Sequence, residues 1–225
     1  VTRMRARSFA LTAVLLAAVT GCASTGPQHS GFIKDEPVMQ EQKDADGTVS
    51  RYVSPALSTG AYKAVLVDPV QLYPAPQPSE KVDAATLKQI QGYMDQAWRR
   101  ELGKRVELAK SPGPGVARVR TALTGVKAES ADLAFYQYLP VALAATAAAE
   151  VAGLRSKDVR LFVEAEVTDS LSGERLAVAV REGTGENIKV KGGAQDKVTL
   201  QTVKPLIDQL AASGATVLAS SMQGR

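Results

Sequence analysis

The residues whose types and spacing suit chemistry are few: one cysteine, one histidine and two glutamates standing two positions apart. Cys22 closes the stretch Val19-Thr20-Gly21-Cys22. Arg3, Arg5 and Arg7 precede it, then an apolar run from Ser8 to Val19; polar Ala23-Ser24-Thr25-Gly26 follows. That order predicts a secretory signal peptide over residues 1–21, ending in a lipobox where a signal peptidase cuts before a cysteine that receives lipid. An apolar run of about twelve residues, at ~1.5 Å per helical residue, falls well short of a ~30 Å hydrocarbon core. The arginines hold the cytoplasmic side. A thioether at Cys22 consumes the thiol, which excludes a disulfide, a thiolate nucleophile and a sulfur metal site. Two acyl chains on the sulfur and one on the new amino terminus exceed the two signals that stable attachment takes. Ala23 stands where aspartate would retain a lipoprotein at the inner membrane, so the expected address is the periplasmic face of the outer membrane.

His29 is the only histidine. Alone in a polar stretch it reads as solvated, and a single imidazole excludes both a His-based triad among several candidates and a multi-histidine zinc site. Glu164 and Glu166 fall on one side of an alternating strand, roughly 7 Å apart at two residues' rise. That separation suits a carboxylate pair of the inverting glycosidase kind, with Asp68 and Asp169 as further acids. Alternating charges on a hairpin are more simply its solvated face, and Asp169 more simply accepts turn amides. No catalytic motif, cofactor motif or metal set is found.

Charge carries less information than its total suggests. The net +4 comes from 27 basic and 23 acidic residues. Without Arg3, Arg5 and Arg7 the basic count is 24 against 23 acidic, so the mature chain is near neutral and a nucleic-acid role loses its support.

The elements that must position these residues are read from periodicity. Residues 22–58 read as a lipidated terminus and flexible linker, polar and bearing Gly and Pro. Residues 59–222 read as one globular domain. Tyr62 to Asp68 is a near-continuous apolar run, a strand buried on both faces. Asp83 caps a helix to Leu102, with Leu87, Ile90, Met94, Trp98 and Leu102 on one face. Gly103 supplies a left-handed end, and Arg99, Arg100, Lys104 and Arg105 answer the helix dipole and solvent. Val106–Ala109 and Val116–Lys127 are strands, the second with one wet face. Val159–Thr168 and Arg175–Arg181 form a hairpin around Asp169-Ser-Leu-Ser-Gly173. A helix from Pro140 to Ala152, rich in alanine, is either buried or a contact surface. Gly183–Gly193 is an exposed glycine-rich segment lacking the features of a phosphate loop. A closing helix spans Thr199–Ser220, with Pro205 in its early turns and Gly214 as a possible break. The expected architecture is α/β (α+β): a single domain, a mixed sheet of about five strands and about three packed helices, in two or three layers.

Arg51-Tyr-Val-Ser-Pro55 with Tyr62-Lys-Ala-Val-Leu-Val-Asp-Pro69, and Val163-Glu-Ala-Glu-Val-Thr-Asp-Ser-Leu-Ser-Gly-Glu-Arg-Leu176, resemble the two signature stretches of the DUF3313 family. That resemblance covers Gly31 onward and implies a proteobacterial lipoprotein of unknown function, with no catalytic residues to carry over. The hairpin is also similar to those of other envelope lipoproteins, a fold-level analogy only. The expected function is non-enzymatic: a lipid-anchored module docking to an envelope protein or to peptidoglycan. Phe135, Tyr136 and Tyr138 form the candidate partner patch. The alternatives are a carboxylate-dependent hydrolase of envelope glycan and a subunit of an oligomeric outer-membrane assembly.

Overall fold

The computed structural model describes residues 29–44, 47–75, 82–128, 159–184 and 198–224. Within them the chain forms one mixed sheet of eight strands with two α-helices packed on one face. The strands are β1 (Gln40–Asp44), β2 (Gly47–Val53), β3 (Ala64–Val67), β4 (Gln71–Leu72), β5 (Glu107–Leu108), β6 (Val116–Ala128), β7 (Val159–Asp169) and β8 (Arg175–Thr184). The helices are α1 (Ala84–Gly103) and α2 (Leu200–Met222). Strand order is β1-β2-β8-β7-β6-β3-β5, with β4 paired to β6.

The expectation of about five strands and three helices is thus corrected to eight and two among the described residues. Three of the additional strands are short or polar. β4 and β5 have two residues each, and β1 is Gln-Glu-Gln-Lys-Asp, without the apolar alternation that marks a half-buried strand. Strand pairing can recruit such segments because their own backbone amides and carbonyls supply the ladder. The alanine-rich stretch 140–152, read as a third helix, lies outside the described residues, as does Gly185 onward in the glycine-rich segment.

Local chemistry explains the two helices. Asp83 caps α1, its side chain accepting from the Thr86 amide at 2.7 Å. The apolar face expected from spacing is the buried one: Leu87, Ile90, Met94, Ala97, Trp98 and Leu102. The left-handed end does not form, because helical geometry continues through Gly103 to Lys104 in the right-handed region. In α2, Thr199 and Thr202 make a reciprocal capping box, and Pro205 sits inside the helix. Gly214 does not break α2. A Cβ there would stand 2.4 Å from Trp98 Cη2, so glycine lets the indole of α1 lie on the α2 backbone.

The sheet has two unlike faces. Val159, Leu161, Val163 and Val167 of β7 meet α1 and α2 in the main core with Val119, Leu123 and Leu176. The opposite, outer face carries a smaller cluster of Ala122, Val178 and Val180, covered by Phe32 and Ile33. Those two side chains are 5% and 3% exposed, and burying each contributes about 1.5–3 kcal/mol. Residues 30–39 therefore form a strap across the outer face. With β1 and β2 they make residues 30–53 part of the folded unit, although the stretch to 58 reads as linker in the sequence. Two isolated apolar residues have no period, so nothing local announced their burial.

Candidate functional site

The acidic pair of β7 sits on the outer face, beneath the strap. Alternation places Arg160, Phe162, Glu164 and Glu166 on the side opposite the helices, as expected, but the face is not solvated. Glu164 is fully buried and Glu166 is 7% exposed. This corrects the reading of a wet hairpin face: a segment more than a hundred residues upstream covers it.

The two acids have different surroundings. Glu166 lies between two guanidiniums, Arg120 Nη1 at 2.9 Å from Oε2 and Arg175 Nε at 2.9 Å from Oε1. Arg120 comes from the cross-strand partner position on β6. Arg175 also donates to the carbonyls of Lys34 and Asp35, at 2.6 and 2.5 Å, which ties the strap to the β7–β8 hairpin. Arg120 in turn lies 4.9 Å above the Phe32 ring, and Phe32 meets Tyr73 edge to face at 5.6 Å. Glu164 accepts one bond, from the Ser30 backbone N–H at 2.6 Å, while its Oε2 has no hydrogen-bond partner. A carboxylate flanked by two arginines is held as their counterion, and one closed under a strap has no open path to a substrate. The arrangement suits a structural clasp better than general acid–base work.

The remaining candidates are individually satisfied. Asp169 accepts from the Leu171 and Ser172 amides, as the turn chemistry predicts, and from Tyr62 Oη at 3.1 Å. Its carboxyl is held below the usual range, first by the Ser172 amide and then by that of Leu171. Burial, then the Asp169 contact, pushes the Tyr62 hydroxyl up. Asp68 is paired with Arg118. His29 is paired with Glu36 rather than merely solvated. The basic end of α1 is likewise occupied. Arg99 meets Asp95, Arg100 meets Asp208, and Lys104 and Arg105 converge on Glu101. Hydrogen bonds from Lys104 and Arg105 hold the Glu101 carboxyl at about 2. Tyr93 donates to both oxygens of Asp208, at 2.8 and 2.9 Å, closing the α1–α2 seam.

A cavity of about 440 Å³ opens beside Tyr62, Lys63, Arg105, Glu107 and Met222, away from the Glu164–Glu166 pair, and has a single carboxylate in its lining. Among the described residues no group of three or more His, Cys, Asp or Glu side chains gathers as a metal set. No described helix is long and apolar enough to cross a membrane. Cys22 and the aromatic patch Phe135, Tyr136 and Tyr138 lie outside the described residues. Sequence reading missed Ser30, Phe32, Ile33, Arg120 and Arg175 as parts of the acidic site. Only Arg120 and Arg175 had a legible signal, since alternation puts cations on the strand face that carries Glu166.

Comparison with known proteins comes from three directions. Residues 28–213 match the family described as a protein of unknown function, DUF3313. An uncharacterized lipoprotein of Escherichia coli, YdcL, is 32% identical over 214 residues, covering 92% of this chain and 95% of its own. Among solved structures, the PelC dodecamer from Paraburkholderia phytofirmans is 14% identical with a TM-score of 0.35, covering 79% of this chain and 97% of that one. A putative lipoprotein from Caulobacter crescentus is 10% identical with a TM-score of 0.36, covering 76% and 98%.

Proposed function

This chain belongs to the DUF3313 family, and from that premise we propose that it is a lipid-anchored, non-enzymatic envelope lipoprotein. Its domain acts as a tethered module that docks to another envelope component, protein or peptidoglycan. The anchor is Cys22, reached through the signal peptide of residues 1–21. The address is the periplasmic face of the outer membrane, supported by Ala23 after the cysteine. That a relative of 32% identity is a lipoprotein supports the anchor.

The observation that carries the non-enzymatic reading is the closure of the acidic pair. Glu164 lies wholly beneath the strap and Glu166 is ion-paired on both oxygens. The only strand-face carboxylate pair suggested by the sequence is thereby spent on structure, which leaves recognition at a surface as the work of the domain.

The test is crosslinking in intact cells. Wild-type protein should give a reproducible crosslinked partner. Cys22→Ser should move the protein out of the membrane fraction, and replacing Phe135, Tyr136 and Tyr138 together should weaken the crosslink without lowering the melting temperature. Unchanged crosslinks in the triple variant remove that patch. A muropeptide profile that changes with Glu164→Gln or Glu166→Gln replaces this reading with the hydrolase.

A further inference from the structure

The strap decides how far the domain stands from its anchor. If residues 22–58 were all linker, thirty-six residue steps would separate Cys22 from the fold, a contour of about 120 Å and a coil of roughly 30–35 Å root-mean-square span. The fold instead takes hold at Ser30. Its amide is bonded to Glu164 at 2.6 Å, Phe32 and Ile33 are buried, and Arg175 grips the Lys34 and Asp35 carbonyls. Continuing from the strap, β1 pairs with β2 over five residue pairs, Gln40↔Arg51 to Asp44↔Gly47. Between Cys22 and Ser30 there are eight residue steps, at most about 28 Å however the chain runs.

Resting on the lipid-anchor reading above, we infer that the outer face of the sheet is an interaction surface turned to the bilayer, held within about 28 Å of the lipid by a short leash. The attachment point is on the face that carries the strap, while α1 and α2 cover the other face. A point tether of that length keeps the surface around Ser30 nearer the lipid than the helical layer, whichever way the domain tilts. The kind of partner this face meets is therefore a lipid surface. The helix layer is the side presented to soluble components.

The experiment uses the full-length lipidated chain in phosphatidylcholine vesicles that carry a headgroup energy acceptor. Cys22 is the only cysteine, so once it is lipidated an introduced cysteine takes a donor dye uniquely. Lys34→Cys reports the strap and Gln96→Cys the exposed side of α1. Transfer from position 34 should exceed transfer from position 96 at least twofold. Inserting twenty Gly/Ser residues after Gly26, which leaves the strap intact, should lower transfer at 34 to near that at 96. Equal transfer from both positions, or no response to the insertion, overturns the inference while leaving the anchor in place. An intact mass without lipid, or membrane binding that survives Cys22→Ser, overturns the anchor reading and this inference with it.

Discussion

Ser30 donates its backbone N–H to Glu164 at 2.6 Å, joining positions 134 residues apart in sequence. This bond satisfies one oxygen of a fully buried carboxylate and leaves the other without a partner. It also marks where the chain stops being a spacer and becomes part of the sheet. The arginine-flanked Glu166, two residues on, shows the contrasting solution for an acid on the same face.

The two glutamates should respond oppositely to neutralisation. In Glu164→Gln a buried, unpaired carboxylate becomes an amide that still accepts from Ser30. Stability should stay within about 1 kcal/mol of wild type, or rise. Glu166→Gln strips the counterion from Arg120 and Arg175. Because both guanidiniums retain some solvent, the loss should be about 1–3 kcal/mol. Urea denaturation at pH 7 reads the difference, and an equal loss in both variants would falsify the clasp.

Phe32→Ala should loosen the strap ahead of the domain. Lost burial of the ring, its edge contact with Tyr73 and the Arg120 contact together predict a loss of about 3 kcal/mol. Limited proteolysis should cut within residues 29–39 before the rest of the chain is attacked. Cleavage at the same rate as wild type argues that the strap is held by something other than Phe32.

Gly214→Ala tests the α1–α2 contact. Alanine favours a helix over glycine by about 1 kcal/mol, yet its Cβ would stand 2.4 Å from the Trp98 ring. Packing should win, with a net loss of about 1–3 kcal/mol as the indole is displaced. Trp98 is the only tryptophan, so its emission reports the displacement directly. A stabilised protein with unchanged emission would mean the interface absorbs the methyl group.

Acid stability should carry the signature of Glu101. Lys104 and Arg105 hold its carboxyl at about 2, below the ordinary 4.5. Since the folded-state value is depressed, its contribution is fully present above the unfolded value. It should fade as pH falls from about 4.5 to about 2. Glu101→Gln should flatten the stability–pH curve in that window and leave the slope above pH 6 alone, as chemical denaturation at stepped pH will show.

Much of the frame was legible in the chain. Asp83 and the apolar spacing after it specify α1, and the alternation from Val159 with the Asp169–Gly173 turn specifies the β7–β8 hairpin. These are local rules: a cap needs one side chain and three amides, and a pleat imposes its period of two. The anchor reading at Cys22 is local in the same way, resting on an ordered charge, apolar run and cysteine. The strap and the edge strands follow no such rule, because Phe32, Ile33 and the polar β1 carry no period of their own.

What the sequence by itself determined, then, is which segments become helix or strand and which face of each is apolar. Whether Glu164 and Glu166 meet water or a strap, whether Gly214 breaks a helix or admits an indole, and whether residues 30–53 are spacer or sheet were decided by the tertiary structure. The physical reason is common to all three. Each depends on what a distant part of the chain lays against the residue, and burial is a property of that encounter rather than of the residue's own neighbours in sequence.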